Sequence, residues 1–487
     1  MKIYLFILLF ICVVLSNDKQ LYSTIQMMDQ VMIIDPETLQ ITQSVSTEFG
    51  AGTQMQDCMD YSTEMNCNMA SGCQWMMGMC MESTDSDVMN TPHFIALDEI
   101  NGYWFVSTIA SGFIAQYSLI DNVLIDTYFV GDAPALLALD PINQKVYCSR
   151  MMPMNGMGNM MPTAESNIIQ GLNYNAMGLS ISENQEYVIN SPAPHGLAIN
   201  HNGTELYTAS NTADWLYKIN TITHEITGVV MDEIVNNTPD QVTQRLKPIQ
   251  CISVGNRLFV SCSSGTWMNP YTGEQTIIQG SVQIWNSDTM LLLDTLELGE
   301  HSAPWHMKKS PTDNLIYVAL AGDNLYDTEG LACIRYHNDL LTLEWVTNDS
   351  SFDTLHGVDV SFDGNYIYVS ARGNGYIHVF DSDGTLINSV LLGTMSMLGG
   401  LAVEQIGLPV LGDLNNDSIL DVSDIIKIIN AIFNPMMSSP YSNYSSDINS
   451  DNTVFITGDN PDPIASTDSH AFGHLAISQI IGRIDIS

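Results

Sequence analysis

The feature that most constrains this chain is a unit that recurs along it. The stretch HGVDVSFDGNYIYVSARGNGYIHVFDSDGTLINSVLLG, residues 356–393, reads as four short strands: 357–361, 366–370, 376–380 and 386–392. Asp, Gly and Asn fill the gaps, which is the turn chemistry that antiparallel strands need. The same pattern starts at His93, Ala135, His195, Ile249, His306 and Gly399, with seven starts spaced 42, 60, 54, 57, 50 and 43 residues apart. An aromatic residue, Phe105, Tyr147, Tyr207 or Tyr368, stands twelve residues after the start in four units, Tyr317 eleven after and Phe259 ten after. A four-stranded sheet cannot bury both its faces alone, and four strands per period of this size predict a β-propeller.

The seventh unit has room for only two strands after Gly399 before the composition changes. Gln30–Ser46, QVMIIDPETLQITQSVS, carries the strand–turn–strand pattern of a missing outer half. The expectation is an all-β, seven-bladed propeller over residues 17–408, closed by N-terminal strands packed beside 399–404, so that no sheet edge is left open.

The segments PHGLAINHNGTELYTAS and HGVDVSFDGNYIYVS resemble the repeat core of the YVTN-type (YncE-like) propeller family. The resemblance covers roughly residues 20–405. It implies the fold and says little about chemistry, because such propellers host many functions.

Residues 1–16, MKIYLFILLFICVVLS, have one lysine, an apolar run and a small residue before a polar stretch. That is the pattern of a secretory signal, too short to span a bilayer. The expectation is a secreted or cell-surface protein with no transmembrane segment in its mature form. The 54 acidic against 14 basic residues, a formal net charge of −40, disfavour nucleic acid and anionic membranes as partners.

Residues 50–90 interrupt the blade pattern with Cys58, Cys67, Cys73 and Cys80. Four cysteines so close together in a secreted chain are expected to form two disulfides, of unspecified connectivity. The run GCQW…C resembles small plexin-type cysteine-rich modules. Cys148, Cys251, Cys262 and Cys333 fall in or beside predicted strands, where the default state is a buried thiol.

Methionine is abundant, at 28 residues, and clustered: Met151, Met154 and Met157 belong to the run RMMPMNGMGNMMP, and Met76, Met77, Met79 and Met81 to the cysteine insert. In a propeller, the loops between second and third strands and those between blades emerge on one face. Both clusters map to that face, as do Met231, Met268, Met395 and Met397. His93, His195, His306 and His356 begin the innermost strand of four blades and ring the channel mouth there. Thioether and imidazole together suit Cu(I), so copper binding or copper redox chemistry is one reading of this face. The other reading treats the histidines as hydrogen-bonded repeat residues and the methionines as an adaptable apolar binding surface.

Residues 409–487 hold the most specific motif. In GDLNNDSILDVSDIIKIINAIF, Asp413, Asn415 and Asp417 occupy loop positions one, three and five, Ile419 offers its carbonyl at seven, Asp421 sits at nine and Asp424 at twelve. Hard oxygen ligands at this spacing wrap Ca²⁺, and Asp424 then opens a helix to Phe433. Asp at position twelve, with only a following helix, resembles a dockerin repeat. That resemblance implies a small α-helical calcium domain and a cohesin-like partner. A second loop, with Asp447, Asn449 and Asp451, departs from the pattern at Phe455 and Gly458, and a helix is expected over 470–483.

No GxSxG, HExxH or phosphate-cradling GxxxxGK[ST] occurs. The function expected is a secreted propeller that binds an extracellular protein or glycan and is attached through its calcium tail, with the copper protein as the alternative.

Overall fold

The computed structural model describes residues 19–48, 90–131, 133–151, 167–181, 185–232, 238–269, 272–394 and 396–404, together with the backbone of the short strands 73–76, 79–82, 447–448, 453–455 and 475–476. Seven antiparallel sheets follow one another along the chain. Blade 1 is Pro92–Asp98, Tyr103–Thr108, Phe113–Ser118 and Leu124–Phe129. Blades 2 to 6 start at Pro134, Pro194, Pro248, Pro304 and Leu355.

Local sequence explains the strands. Each second strand is a run of β-branched and aromatic residues that fits a pleated, buried surface, as in YWFVST or YIYVSA. The turns are built by side chains. Asp98 accepts from the Asn101 amide N–H at 3.1 Å and from Asn101 Nδ2 at 2.8 Å, and Asp140 and Asn143 repeat the device at 3.1 and 2.7 Å. These Asx contacts offer the backbone a turn in place of a continued strand.

The ring closes by three strands against one. Leu398–Val403 pairs with Leu21–Ile25, which pairs with Gln30–Ile34, which pairs with Ile41–Ser46. The expectation of a half-and-half closure is therefore corrected. Gln30–Ser46 supplies the outer half of this sheet, but it is separated from 398–403 by Leu21–Ile25, whose LYSTI is buried throughout. That strand lacks the alternation of a half-exposed strand because both its faces are covered.

Seven hydrophobic clusters fill the seven junctions between blades. Leu21 and Ile34 of the closing blade pack with Tyr368, Ile377 and Val379 of blade 6. Tyr22, Val31 and Ile33 pack with Trp104, Val106 and Tyr117 of blade 1, where Trp104 and Tyr117 stack with centroids 3.9 Å apart. Burial of each such large side chain contributes roughly 1.5–3 kcal/mol. The core thus has the form of a wheel, and no single blade owns it.

Two blades carry additions. The outer strand of blade 2 is split into Gly178–Ser180 and Glu186–Val188, both paired with Ile168–Asn175. Blade 4 carries a hairpin, Gly265–Met268 with Gln275–Ile278, between its second and third strands. The Cys/Met-rich insert lies in the chain between Ile41–Ser46 and blade 1, and contains a hairpin of Cys73–Met76 with Met79–Glu82. The remainder of the insert, Cys58 and Cys67 included, lies outside the described residues. Cys148, Cys251, Cys262 and Cys333 are free and buried thiols.

In the C-terminal region, the loop expected to bind calcium, Asp413 to Asp424, and the helix expected after it lie outside the described residues, as do Asn449 and Asp451. The described backbone forms a three-stranded antiparallel sheet of Asp447–Ile448, Thr453–Phe455 and Leu475–Ala476. The helix expected over 470–483 is corrected at Leu475 and Ala476, which are strand. The apolar run LAISQII has isoleucines suited to either state, and periodicity alone does not separate them. No helix among the described residues is long and apolar enough to cross a membrane.

Candidate functional site

In six blades the innermost strand begins with a residue paired to the last residue of the second strand: Pro92 with Thr108, Pro134 with Arg150, Pro194 with Ser210, Pro248 with Cys262, Pro304 with Leu320 and Leu355 with Ala371. Immediately after it the register shifts, and every blade carries this bulge. A bulge leaves a residue unpaired and re-aims its neighbours. His93, His195 and His356 occupy the bulge. In blade 5 the equivalent residue is Trp305, so His306 stands one position further in than the sequence spacing implied. This also explains why Tyr317 lies eleven residues after His306 where four other units show twelve.

A ring of hydroxyls ties the bulges together. Ser107 Oγ donates to the Ala135 carbonyl at 2.7 Å, Ser149 Oγ to His195 at 2.9 Å, Ser261 Oγ to Trp305 at 2.6 Å, Ser370 Oγ to Gly399 at 2.9 Å and Thr24 Oγ1 to His93 at 3.2 Å. Four of them also accept an amide N–H from their own bulge, at 2.8–3.2 Å. Each hydroxyl stands two residues after the aromatic of its second strand, a spacing legible in the sequence. At the two remaining junctions that position is Ala209 or Ala319. Beside Ala209 the His195 imidazole takes the role, its Nδ1 donating to the Ile249 carbonyl at 2.5 Å. Blades approach so closely here that a Cβ on Gly399 would lie 2.6 Å from both the His93 carbonyl oxygen and Thr24 Oγ1.

Three of the four histidines, His93, His306 and His356, meet across the wheel, whereas the His195 imidazole is bonded to the Ile249 carbonyl. The His306 and His356 rings are 4.6 Å apart between centroids, His93 and His356 5.6 Å, Trp305 and His356 5.4 Å, and Phe94 and His306 5.4 Å. Phe94 belongs to blade 1 and His306 to blade 5, which are not neighbours, so these rings touch across the channel. All four imidazoles are nearly inaccessible, with exposures of 1–4%. Gln26 Nε2 donates to His93 Nδ1 at 2.7 Å. Arg372, which follows the second strand of blade 6, brings its guanidinium to 3.5 Å from His356 Nε2.

Electrostatics keep the cluster neutral. Burial drives the His93 and His356 imidazoles far below the ordinary histidine value, with Arg372 and the neighbouring imidazoles adding repulsion. Burial lowers His195 to about 4, against the opposing hydrogen bond to Ile249, and His306 to about 3. Burial also lowers Arg372.

Several polar atoms in this cluster have no hydrogen-bond partner among the described residues: His93 Nε2, His306 Nε2, His356 Nδ1 and Trp305 Nε1. Among the described residues, no group of three or more His, Cys, Asp or Glu side chains is arranged to hold a metal ion.

The described methionines differ in exposure. Met151 is half-buried and its amide donates to the Ala133 carbonyl at 3.1 Å, while Met154, Met157 and Met395 lie outside the described residues. Met27, Met28 and Met268 are exposed at 50%, 42% and 66%. Met231 is instead a core residue, packed with Leu216 and Leu246. Gln26, Trp305 and Arg372 were not singled out in the sequence, since each is one unremarkable residue until the ring closes.

No family model and no curated protein sequence matches the chain. Among solved structures, it is similar to a protein described as a 6-phosphogluconolactonase from Bacteroides uniformis, with a TM-score of 0.52 and 10% identity over 80% of this chain and 100% of the other. A counterpart from Bacteroides fragilis gives a TM-score of 0.49 at 12% identity, over 80% and 99% of the two chains. A streptogramin B lyase gives 0.47 at 14%, over 65% and 88%. Likeness at such identities concerns the fold alone. This chain is a seven-bladed β-propeller with a built cluster of imidazole, indole and guanidinium groups on its axis.

Proposed function

We propose that this protein is a secreted, non-enzymatic binding protein of the YVTN-like propeller type, taking an extracellular protein or glycan at the channel mouth. In this reading, residues 1–16 are a removed leader, and residues 409–487 are a dockerin-like module that holds Ca²⁺ through Asp413, Asn415, Asp417, the Ile419 carbonyl, Asp421 and Asp424. That module serves attachment, with a cohesin-like surface as its counterpart. The observation that carries the binding role is the axial cluster. Buried polar atoms cost free energy when left unpaired, and a fold that keeps several of them at a channel mouth supports occupation by a ligand.

Copper remains the second reading. Imidazoles within 4.6–5.6 Å of one another, with ring nitrogens free of protein partners, favour it. The Arg372 guanidinium counts against it, because a fixed positive charge repels a cation.

Two measurements on the full mature chain test these readings. Equilibrium dialysis is expected to find Ca²⁺ bound to the wild type and the first-loop ion lost in the D413N/D424N double variant. Equal calcium binding by the two proteins would remove the dockerin-like assignment. Metal analysis of protein expressed with copper is expected to find none retained. One copper per chain, lost in H356A, would replace the binding reading with the copper one.

A further inference from the structure

We propose that the axial cluster is an anion site, and that the ligand group it receives is a small organic carboxylate. This rests on the channel mouth being the binding site, and it specifies what binds there.

The argument concerns which atoms are unpaired. Gln26 Nε2 can only donate, so His93 Nδ1 accepts and the proton lies on Nε2, which has no partner. Arg372 likewise can only donate, so His356 Nε2 is the acceptor and Nδ1 carries an unpartnered proton. Trp305 Nε1 is a donor by constitution and also has none. Every unpartnered atom whose role the geometry assigns is therefore a donor. They surround His356, whose ring lies within 5.6 Å, centroid to centroid, of both Trp305 and His93.

Arg372 supplies the charge. In a chain with 54 acidic residues and 14 basic ones, an arginine is surrounded by candidate partners. Arg150, Arg245, Arg257 and Arg335 each have a carboxylate within 4 Å. Arg372 forms no such pair among the described residues. A half-buried guanidinium that meets His356 and has no carboxylate among the described residues is a half-made ion pair.

The class of anion follows from charge and lining. The imidazoles are neutral, leaving one fixed positive charge, which matches a monoanion better than a dianionic phosphate or sulfate. The planar fork of arginine suits a carboxylate bidentately. Trp305 and Phe94 give the organic part of the ligand an aromatic wall. A metal ion would instead need lone pairs, and those of His93 and His356 already face Gln26 and Arg372.

The test is a titration of the full mature chain, ¹⁵N-labelled at histidine, with acetate and with glucuronate in a buffer free of other carboxylates. We expect saturable shifts of the His93 and His356 imidazole resonances with both ligands. Affinity is expected to fall at least about tenfold in R372Q and about threefold or more in W305F, which keeps the ring and removes its N–H. Undiminished carboxylate binding in both variants overturns the proposal, as does tighter binding of inorganic phosphate than of acetate. If glucose or Cu(I) moves these resonances while neither carboxylate does, the anion proposal fails and the binding site stands. If none of the four moves them, the site itself falls too.

Discussion

At the scale of single residues, the second strands show how one hydroxyl serves two blades. Ser370 accepts the Gly357 amide at 2.8 Å and donates to the Gly399 carbonyl at 2.9 Å, wholly buried. S370A leaves both backbone groups without partners, and a loss of about 1–3 kcal/mol is expected in urea unfolding. Thr208 gives the contrast. Its hydroxyl is buried without a partner, one position before the Ala209 that replaces the linking serine. T208V should leave stability unchanged or raise it. If both variants lost stability equally, the ring of inter-blade hydrogen bonds would not be what distinguishes these positions.

At the scale of elements, closure of the ring and the imidazole cluster act oppositely on pH dependence. His195 and His306 are held at about 4 and about 3 in the folded protein, against about 6.5 when unfolded. Below pH 6.5 the unfolded chain binds protons that the folded chain refuses. Stability is therefore intact above pH 6.5 and lost as pH falls towards 4, by up to about 1.4 kcal/mol per pH unit for each group. Glu404 ends the strand that closes the wheel, its amide bonded to the Gln20 carbonyl at 2.7 Å. Burial raises its carboxyl to about 7. The folded state then holds the extra proton between pH 4.5 and 7, so this contribution declines as pH rises through that window. Urea unfolding should show stability rising with pH in the wild type from pH 4.5 to 6.5, where the histidines outweigh Glu404, and no further rise from pH 6.5 to 7.5. It should also show E404Q gaining on the wild type towards pH 7.5. A constant gap between the two would mean that Glu404 titrates normally.

At the scale of the molecule, the full chain carries a net charge of −40, and its described part is a wheel whose core lies between its blades. Mutual repulsion of the carboxylates opposes compaction, and salt screens it. Raising NaCl from about 10 mM to about 1 M shortens the Debye length from about 30 Å to about 3 Å. With divalent ions chelated, Tm should rise across that series. A falling Tm would mean that surface ion pairs such as Arg257–Asp339 and Arg335–Glu344 outweigh the repulsion.

The sequence by itself determined the number of blades, the strand order within six of them and the joining of N-terminal strands to the seventh unit in one sheet. All of these follow from short-range patterns, apolar alternation and Asx turns, repeated at a period long enough for four strands. It also pointed to His93, His195, His306 and His356 as residues of one rim. It missed Leu21–Ile25, because a strand covered on both faces has no alternation to read, and it misplaced His306 by one residue, although Tyr317 standing eleven residues on was the mark of that offset. Only the tertiary structure decided that rings from blades 1, 5 and 6 touch, that Gln26 and Trp305 join them, and that Arg372 stands without a carboxylate among the described residues. Those contacts cross the axis of a closed ring, between residues far apart in the chain, and they exist only once all seven junctions have packed.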